Sequence, residues 1–165
     1  GVNKATQELF KVADTPQKLL SVGIDELKKH IKTIGLYNNK AKNIMEMSRQ
    51  LAADFNGEVP ADRDILTPLA GVGRKTANVV MNVWFKQPTL AVDTHVMRIS
   101  HRLGFSQGKT PFEVEKDLLK VLPENLIINT NHWLVLFGRY ICKAQRPLCE
   151  QCPINSYCHC QDKRI

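Results

Sequence analysis

The sequence has 165 residues, 43% of them hydrophobic, which is enough for one domain or two small ones with a real core. Lysine and arginine total 23 against 16 aspartate and glutamate, and this net charge of +7 favours a polyanionic partner, usually a nucleic acid. No apolar run could span a bilayer and no signal peptide is recognisable, so neither a membrane protein nor a secreted one is expected.

Hydrophobic periodicity predicts helices along almost the whole chain and no clear strand, so the predicted fold class is all-α. Glycines and an Asn-Gly pair mark helix ends, and Asp62 caps a short helix. One helix is apolar on nearly every side, which predicts that it is buried at the centre of the fold. The predicted helices span residues 3–13, 25–34, 40–55, 62–69, 74–85, 94–103, 111–121 and 125–141.

Residues 66–77 form the sharpest motif: a short helix, a Gly-Val-Gly turn and a second helix. Gly71 and Gly73, on either side of Val72, permit backbone angles closed to other residues and let a ligand approach the main chain. The next helix begins with unpaired N–H groups and a positive dipole end, and Arg74 adds charge. These features predict a site for one DNA phosphate. A tight helical hairpin with glycines at its turn and no ligand is the alternative.

Lys75 lies in the first turn of this apolar helix, where a solvated charge gains nothing from the positive dipole end. An amine nucleophile must be neutral, and the helix N-terminus, Arg74 and partial burial favour the neutral amine. Asp93 is the natural N-cap of the next helix, which is its structural interpretation. Its functional interpretation is a carboxylate that faces the lysine, to take a proton or to stabilise a developing cation.

All five cysteines lie after residue 141, behind a long cysteine-free stretch, which indicates an intracellular metal site rather than a disulfide framework. Four of them have the spacing C-x6-C-x2-C-x5-C: Cys142, Cys149, Cys152 and Cys158. Such a loop can hold zinc or an iron–sulfur cluster, and the presence of only one close pair favours iron–sulfur mildly. Cys160 is interpreted as a free cysteine. Lys143 and Arg146 predict a basic loop that contacts phosphates, with a merely solvated loop as the alternative.

Residues 69–77 and 91–96, Leu-Ala-Gly-Val-Gly-Arg-Lys-Thr-Ala and Ala-Val-Asp-Thr-His-Val, resemble the helix-hairpin-helix, Gly/Pro-Asp motif of the endonuclease III family of DNA glycosylases. The resemblance covers nearly the whole chain, and the cysteine spacing is that of the family's [4Fe–4S] cluster. Ala70 departs from the family's usual proline. The resemblance implies a helix-hairpin-helix glycosylase fold with a C-terminal [4Fe–4S] loop, divided into a helical domain over residues 1–88 and a cluster domain over residues 89–165.

The resemblance also implies the activity: a bifunctional glycosylase and abasic-site lyase for oxidised pyrimidines in double-stranded DNA. Lys75 would attack C1′ of a flipped-out damaged nucleotide and form a Schiff base, with Asp93 as the paired carboxylate in a cleft between the two domains. The lysine argues against the related adenine glycosylases, which usually lack it. A structural cluster, a monomer and a place on chromosomal DNA in the bacterial cytoplasm are implied as well. A non-catalytic DNA-binding module and a zinc-ribbon DNA adaptor are the alternatives.

Family members carry several dozen residues before the position of Val2, including a helix that packs on the cluster domain and a glutamine-bearing loop that fills the gap left by the flipped nucleotide. From the resemblance we expect the chain as printed to expose apolar faces, and to be less stable and less active than a relative with that segment.

Overall fold

The computed structural model describes residues 1–158, 160, 161 and 163, and over these residues it contains helices and no strand. The all-α prediction is therefore confirmed. The helices are α1 Val2–Val12, α2 Pro16–Val22, α3 Ile24–Ile31, α4 Tyr37–Asp54, α5 Arg63–Leu66, α6 Arg74–Val83, α7 Thr94–Arg102, α8 Pro111–Val121 and α9 Glu124–Tyr140, followed by a 3₁₀ turn at Asn155–Tyr157. No helix in the described part of the chain is both long and apolar enough to cross a lipid bilayer.

Helix α2 was not predicted from the sequence, because a proline just past the first predicted helix, residues 3–13, is also typical of a helix end. In the structure Pro16 is the first residue of α2, where its missing N–H costs nothing. The side chain of Thr15 caps the helix by accepting a hydrogen bond from the backbone N–H of Lys18, at 3.2 Å. One proline therefore separates two helices and starts the second.

The chain divides into two compact units, Gly1–Gly73 and Arg74–Ile165. The first unit has an apolar core to which α1, α3 and α4 contribute, formed by Leu9, Ala13, Leu27, Ile31 and Ala41. The second has a core between the segment before α7 and helices α7, α8 and α9, formed by Leu90, Val92, Val96, Val114, Leu118 and Ile127. The division into family domains at residues 88 and 89 stays a prediction.

Helix α6 is not buried on every side, and the prediction of a buried central helix is wrong in this respect. Its buried residues are Ala77, Asn78, Met81 and Asn82. Val83 and, just beyond the helix, Trp84 are 61% and 76% exposed. Hydrophobicity alone could not identify the buried face of α6, because two of the four residues on that face are asparagines with specific hydrogen-bond partners.

Candidate functional site

In the first unit, the turn at residues 69–73 is held in one shape by side chains of α4. Gly71 has a φ of +76°, and a Cβ atom at this position would lie 2.9 Å from Cβ of Asn43. The backbone N–H of Ala70 donates a 2.9 Å hydrogen bond to Oε1 of Gln50. Because this region of φ and the close contact both exclude other side chains, the glycine is required by the turn itself.

Gly73 differs from Gly71, because a Cβ atom at Gly73 would meet no atom of the described residues within 4 Å, its two chain neighbours apart, and its φ is not in the left-handed region. Val72 is buried, whereas both glycines are exposed. A ligand at this turn would therefore contact the main chain and not the side chain of Val72. The predicted phosphate contacts of Gly71, Val72 and Gly73 stay a prediction.

Arg74, the first residue of α6, forms a bidentate ion pair with Glu115 of α8. Its Nε and Nη2 each donate a 2.8 Å hydrogen bond to the carboxylate of Glu115, a residue that is 3% exposed. The guanidinium also lies over the ring of Phe112, with 4.6 Å between its central carbon and the ring centroid. These contacts join α6 to α8. The predicted phosphate contact of Arg74 stays a prediction, and any such contact would be made by a guanidinium already held by Glu115.

Lys75 has an exposed side chain and lines a small cavity within the second unit, of about 40 Å³. The other residues that line the cavity are Arg74, Asn78, Val92, Pro111, Phe112 and Glu115. The cavity thus brings Lys75 next to Val92, the residue before Asp93, while Asp93 itself does not line it.

Asp93 is the N-cap of α7, as the structural interpretation predicted. Its Oδ1 accepts hydrogen bonds from the backbone N–H groups of His95 and Val96, both at 2.9 Å. Both bonds use the same carboxylate oxygen. The cap therefore fixes the side chain at the start of α7 through Oδ1, and Oδ2 accepts no hydrogen bond from the described residues.

Three asparagines hold the irregular segment that precedes Asp93. Asn82 donates to the carbonyl of Thr89, Asn78 to that of Leu90 and Asn131 of α9 to that of Ala91, each at 2.8 Å. The hydroxyl of Thr89 in turn donates to the carbonyl of Asn78, at 2.7 Å. Since Leu90 and Ala91 are buried and lie outside any helix, their carbonyls need such partners. The segment is therefore a fixed support for Asp93.

The sequence analysis did not identify these asparagines as buried hydrogen-bond donors, although the pattern around Asn78 and Asn82 indicates such a role. They are polar residues spaced one helical turn apart in a helix that is otherwise apolar, and a buried polar side chain requires hydrogen-bond partners. Glu115 carried no comparable signal, because its partner Arg74 is distant in the sequence.

The cysteines meet in a second cavity, near the C-terminal end of the described chain. All five line it, and the other residues that line it are Arg102, Ile141, Pro147, Leu148, Asn155 and Lys163. Nη1 of Arg102 donates a hydrogen bond to Sγ of Cys142, at 3.4 Å. Five thiols around one cavity, four of them with the predicted spacing and one of these beside a cation, fit an iron–sulfur cluster, since thiolates are its ligands. In the described part of the chain, no group of three or more His, Cys, Asp or Glu residues has the arrangement to hold a single metal ion.

The loop between Cys142 and Cys149 is closed by a backbone hydrogen bond from Leu148 to Ile141, at 3.0 Å. Two arginines of α7 bind its start. Arg102 donates to the carbonyl of Lys143 at 2.7 Å, and Arg98 donates to the carbonyl of Cys142 at 3.0 Å. Lys143 and Arg146 are exposed, and Arg146 has a φ of +50°. Their predicted contact with phosphates stays a prediction.

Comparisons of the sequence with family models and with known proteins agree with one another over nearly the whole chain. Residues 1–124 match the model of the HhH-GPD superfamily base excision DNA repair protein, and residues 142–158 match the iron-sulfur binding domain of endonuclease III. The endonuclease III of Haemophilus influenzae is 53% identical over 163 residues, which are 99% of this chain and 77% of that protein.

Two solved structures are equally similar in fold. One is the structure of a trapped endonuclease III–DNA covalent intermediate, with a TM-score of 0.91 and 50% identity, covering 96% of this chain and 75% of that one. The other is a non-covalent endonuclease III–DNA complex, with a TM-score of 0.91 and 49% identity, covering 96% of this chain and 74% of that one.

Proposed function

The chain belongs to the endonuclease III family of base excision DNA repair proteins, and we propose that Lys75 is the nucleophile with which it acts on damaged DNA. It is a DNA glycosylase and abasic-site lyase that binds DNA and carries a [4Fe–4S] cluster. A non-catalytic binding module is not favoured. Oxidised pyrimidines in double-stranded DNA are the proposed substrates, and the proposed setting is a monomer on bacterial chromosomal DNA in the cytoplasm.

The observation that carries the assignment of Lys75 is its position at a cavity beside the N-terminus of α6, next to the segment that leads to Asp93. In the proposed reaction, Nζ of Lys75 forms a bond to C1′ while the bond from C1′ to the base breaks, and the base leaves with the electron pair and takes up a proton. Opening of the sugar ring, with its oxygen protonated, leaves a Schiff base between Nζ and C1′.

The strand is then cut by β-elimination. A proton acceptor removes a proton from C2′ and the C3′–O bond breaks. The phosphate 3′ to the lesion leaves with the electron pair of the C3′–O bond. Water hydrolyses the remaining imine and releases Lys75. Asp93, with Oδ1 used in the helix cap, would supply the negative charge that stabilises the cation developing at C1′ or would take the proton of the amine.

DNA would be gripped without reading its sequence, by the main chain at Gly71, Val72 and Gly73, by Arg74, and by Lys143 and Arg146 of the loop. Cys142, Cys149, Cys152 and Cys158 would hold the cluster, which supplies a cross-link that keeps this loop in one shape.

Borohydride trapping on an abasic duplex tests the nucleophile. Borohydride reduces the imine to an amine, so the wild-type protein should become covalently linked to the oligonucleotide, and Lys75→Ala should abolish the linkage. Lys86→Ala is the matched control, because Lys86 follows the same helix and does not line the cavity. If Lys75→Ala is trapped as well as Lys86→Ala, another amine is the nucleophile and the assignment fails.

A further inference from the structure

Asn78 is a buried polar residue one helical turn after Lys75, and its side chain makes only part of the contacts that an amide can make. It is fully buried, and its Nδ2 donates to the carbonyl of Leu90 at 2.8 Å. Its Oδ1 is also buried and accepts no hydrogen bond from the residues that the structure describes. A buried acceptor without a partner destabilises the folded state, so a partner for it is to be expected.

The position of Asn78 indicates what this partner is. The residue lines the same cavity as Lys75. Residues three apart on a helix lie on the same face, and helical side chains lean towards the N-terminus, which here is the turn that carries Lys75. The other charged side chains that line the cavity, Arg74 of α6 and Glu115 of α8, are paired with each other.

We propose that Asn78 is a positioning residue for the reaction: when Nζ of Lys75 turns into the cavity with DNA bound, Oδ1 of Asn78 accepts a hydrogen bond from it, while Nδ2 of Asn78 holds the segment that leads to Asp93. The inference rests on the proposed function of Lys75. One amide side chain thus fixes the nucleophile and the support of the carboxylate relative to each other.

An amide oxygen suits this task better than a carboxylate. Both accept a hydrogen bond, but a carboxylate would stabilise the protonated lysine, which cannot attack C1′. The amide directs one N–H of the amine and leaves its lone pair available to the sugar. The other ionisable groups that line the cavity are Arg74 on α6 and Glu115 on α8, and Asp93 at the start of α7 follows the lining residue Val92.

Asn78→Asp tests the proposal through the pH dependence of single-turnover borohydride trapping on an abasic duplex. The new carboxylate should hold Lys75 protonated, so the rate at neutral pH should fall tenfold or more and the midpoint of the pH–rate profile should move to higher pH. Asn82→Asp is the matched control. It places a carboxylate on the same helix and removes the equivalent bond to Thr89, but Asn82 does not line the cavity of Lys75. Its profile should keep the wild-type midpoint. Equal midpoints for Asn78→Asp and wild type, or equal shifts in both variants, would overturn the proposal.

A second pair of variants avoids a buried charge, in case Asn78→Asp does not fold. Asn78→Ala should lower the trapping rate at saturating DNA about tenfold while DNA affinity stays within twofold of wild type. Asn82→Ala should lower the rate less than threefold. Equal losses in the two variants would mean that both asparagines only hold the segment, and the proposal would be wrong. Absence of trapping in the wild-type protein would contradict the assignment of Lys75 itself, which is a distinct outcome.

Discussion

Asp93 serves as a helix cap through one carboxylate oxygen, so substitution can separate the structural role from the proposed catalytic one. Asparagine caps helices about as well as aspartate but carries no charge. We expect Asp93→Asn to melt within a degree or two of wild type while the rate of base removal falls on the order of 10²-fold or more. Thermal melts and single-turnover glycosylase assays check the two expectations.

Asp93→Ala is the companion variant, because it removes the cap together with the charge. It should lose about 1 kcal/mol of folding free energy in addition to activity. If Asp93→Asn retains wild-type turnover, the carboxylate of Asp93 acts only as a helix cap and takes no part in the reaction.

The roles of residues that belong to a local sequence pattern could be predicted, whereas the roles of residues that depend on long-range contacts could not. Asp93 was predicted as a cap because an N-cap can be recognised from its neighbours in the chain. Glu115 could not be predicted as the partner of Arg74, since no rule of spacing relates residues of two separate helices. Asn78 and Asn82 stood out as polar residues in an apolar helix, but their acceptors lie on a segment without periodicity.

In the turn before α6, Gly71 has a positive φ and a close contact with Asn43, whereas Gly73 has neither. The two glycines should therefore respond differently to substitution by alanine. Gly73→Ala should leave the free energy of unfolding unchanged or raise it slightly, because the added Cβ atom meets no protein atom. If a DNA phosphate approaches the main chain here, the methyl group should weaken binding to an abasic duplex fivefold or more. Fluorescence anisotropy and denaturant titration measure the two quantities.

Gly71→Ala is the counterpart. Its φ of +76° and its contact with Asn43 should make the alanine variant less stable by about 1–2 kcal/mol or more. The expectation of a phosphate contact fails if Gly73→Ala binds DNA as tightly as the wild-type protein does.

For helix α6, the sequence predicted the first residue but not the exposed side. Its beginning was predicted correctly at Arg74, since the Gly-Val-Gly turn precedes it. Its exposed side was not, because apolar residues such as Val79 and Val83 occur on the solvent side as well. Composition therefore indicates a helix, whereas only packing decides which face is buried.

For the whole molecule, removal of the cluster should affect a limited part of the chain. Helices α1 to α9 end before Cys142, and the residues of the apolar core between α7, α8 and α9 all precede the loop. After chelation of the iron, the far-ultraviolet circular dichroism should retain most of its helical signal. Limited proteolysis followed by mass spectrometry should find new cuts between Cys142 and Lys163.

The loss of the ordered loop should also be visible in DNA binding. If Lys143 and Arg146 contact phosphates, their release should reduce the slope of log affinity against log salt by about 2. A double variant with both residues changed to alanine and the cluster intact is the matched control and should show the same reduced slope. Unchanged salt dependence in both proteins would contradict the proposed role of the loop, and a global loss of helix on chelation would contradict the limited effect.

At this scale the sequence was sufficient for the fold class and for the family, because cysteine spacing and the hairpin motif are both local and specific. The position at which the chain divides into compact units depends on which core each helix joins, and no local pattern in the sequence indicates this. Arg74 begins the second unit although the hairpin motif runs through it without interruption.

The pairing of Arg74 with Glu115 has a consequence for how such a sequence can vary through evolution. Replacing Arg74 alone would leave the buried carboxylate of Glu115 without this partner, and replacing Glu115 alone would remove the anion that holds the guanidinium. Either single step costs several times the free energy of an ordinary surface substitution. We therefore expect the two positions to change together among descendants of this sequence, as one inherited unit.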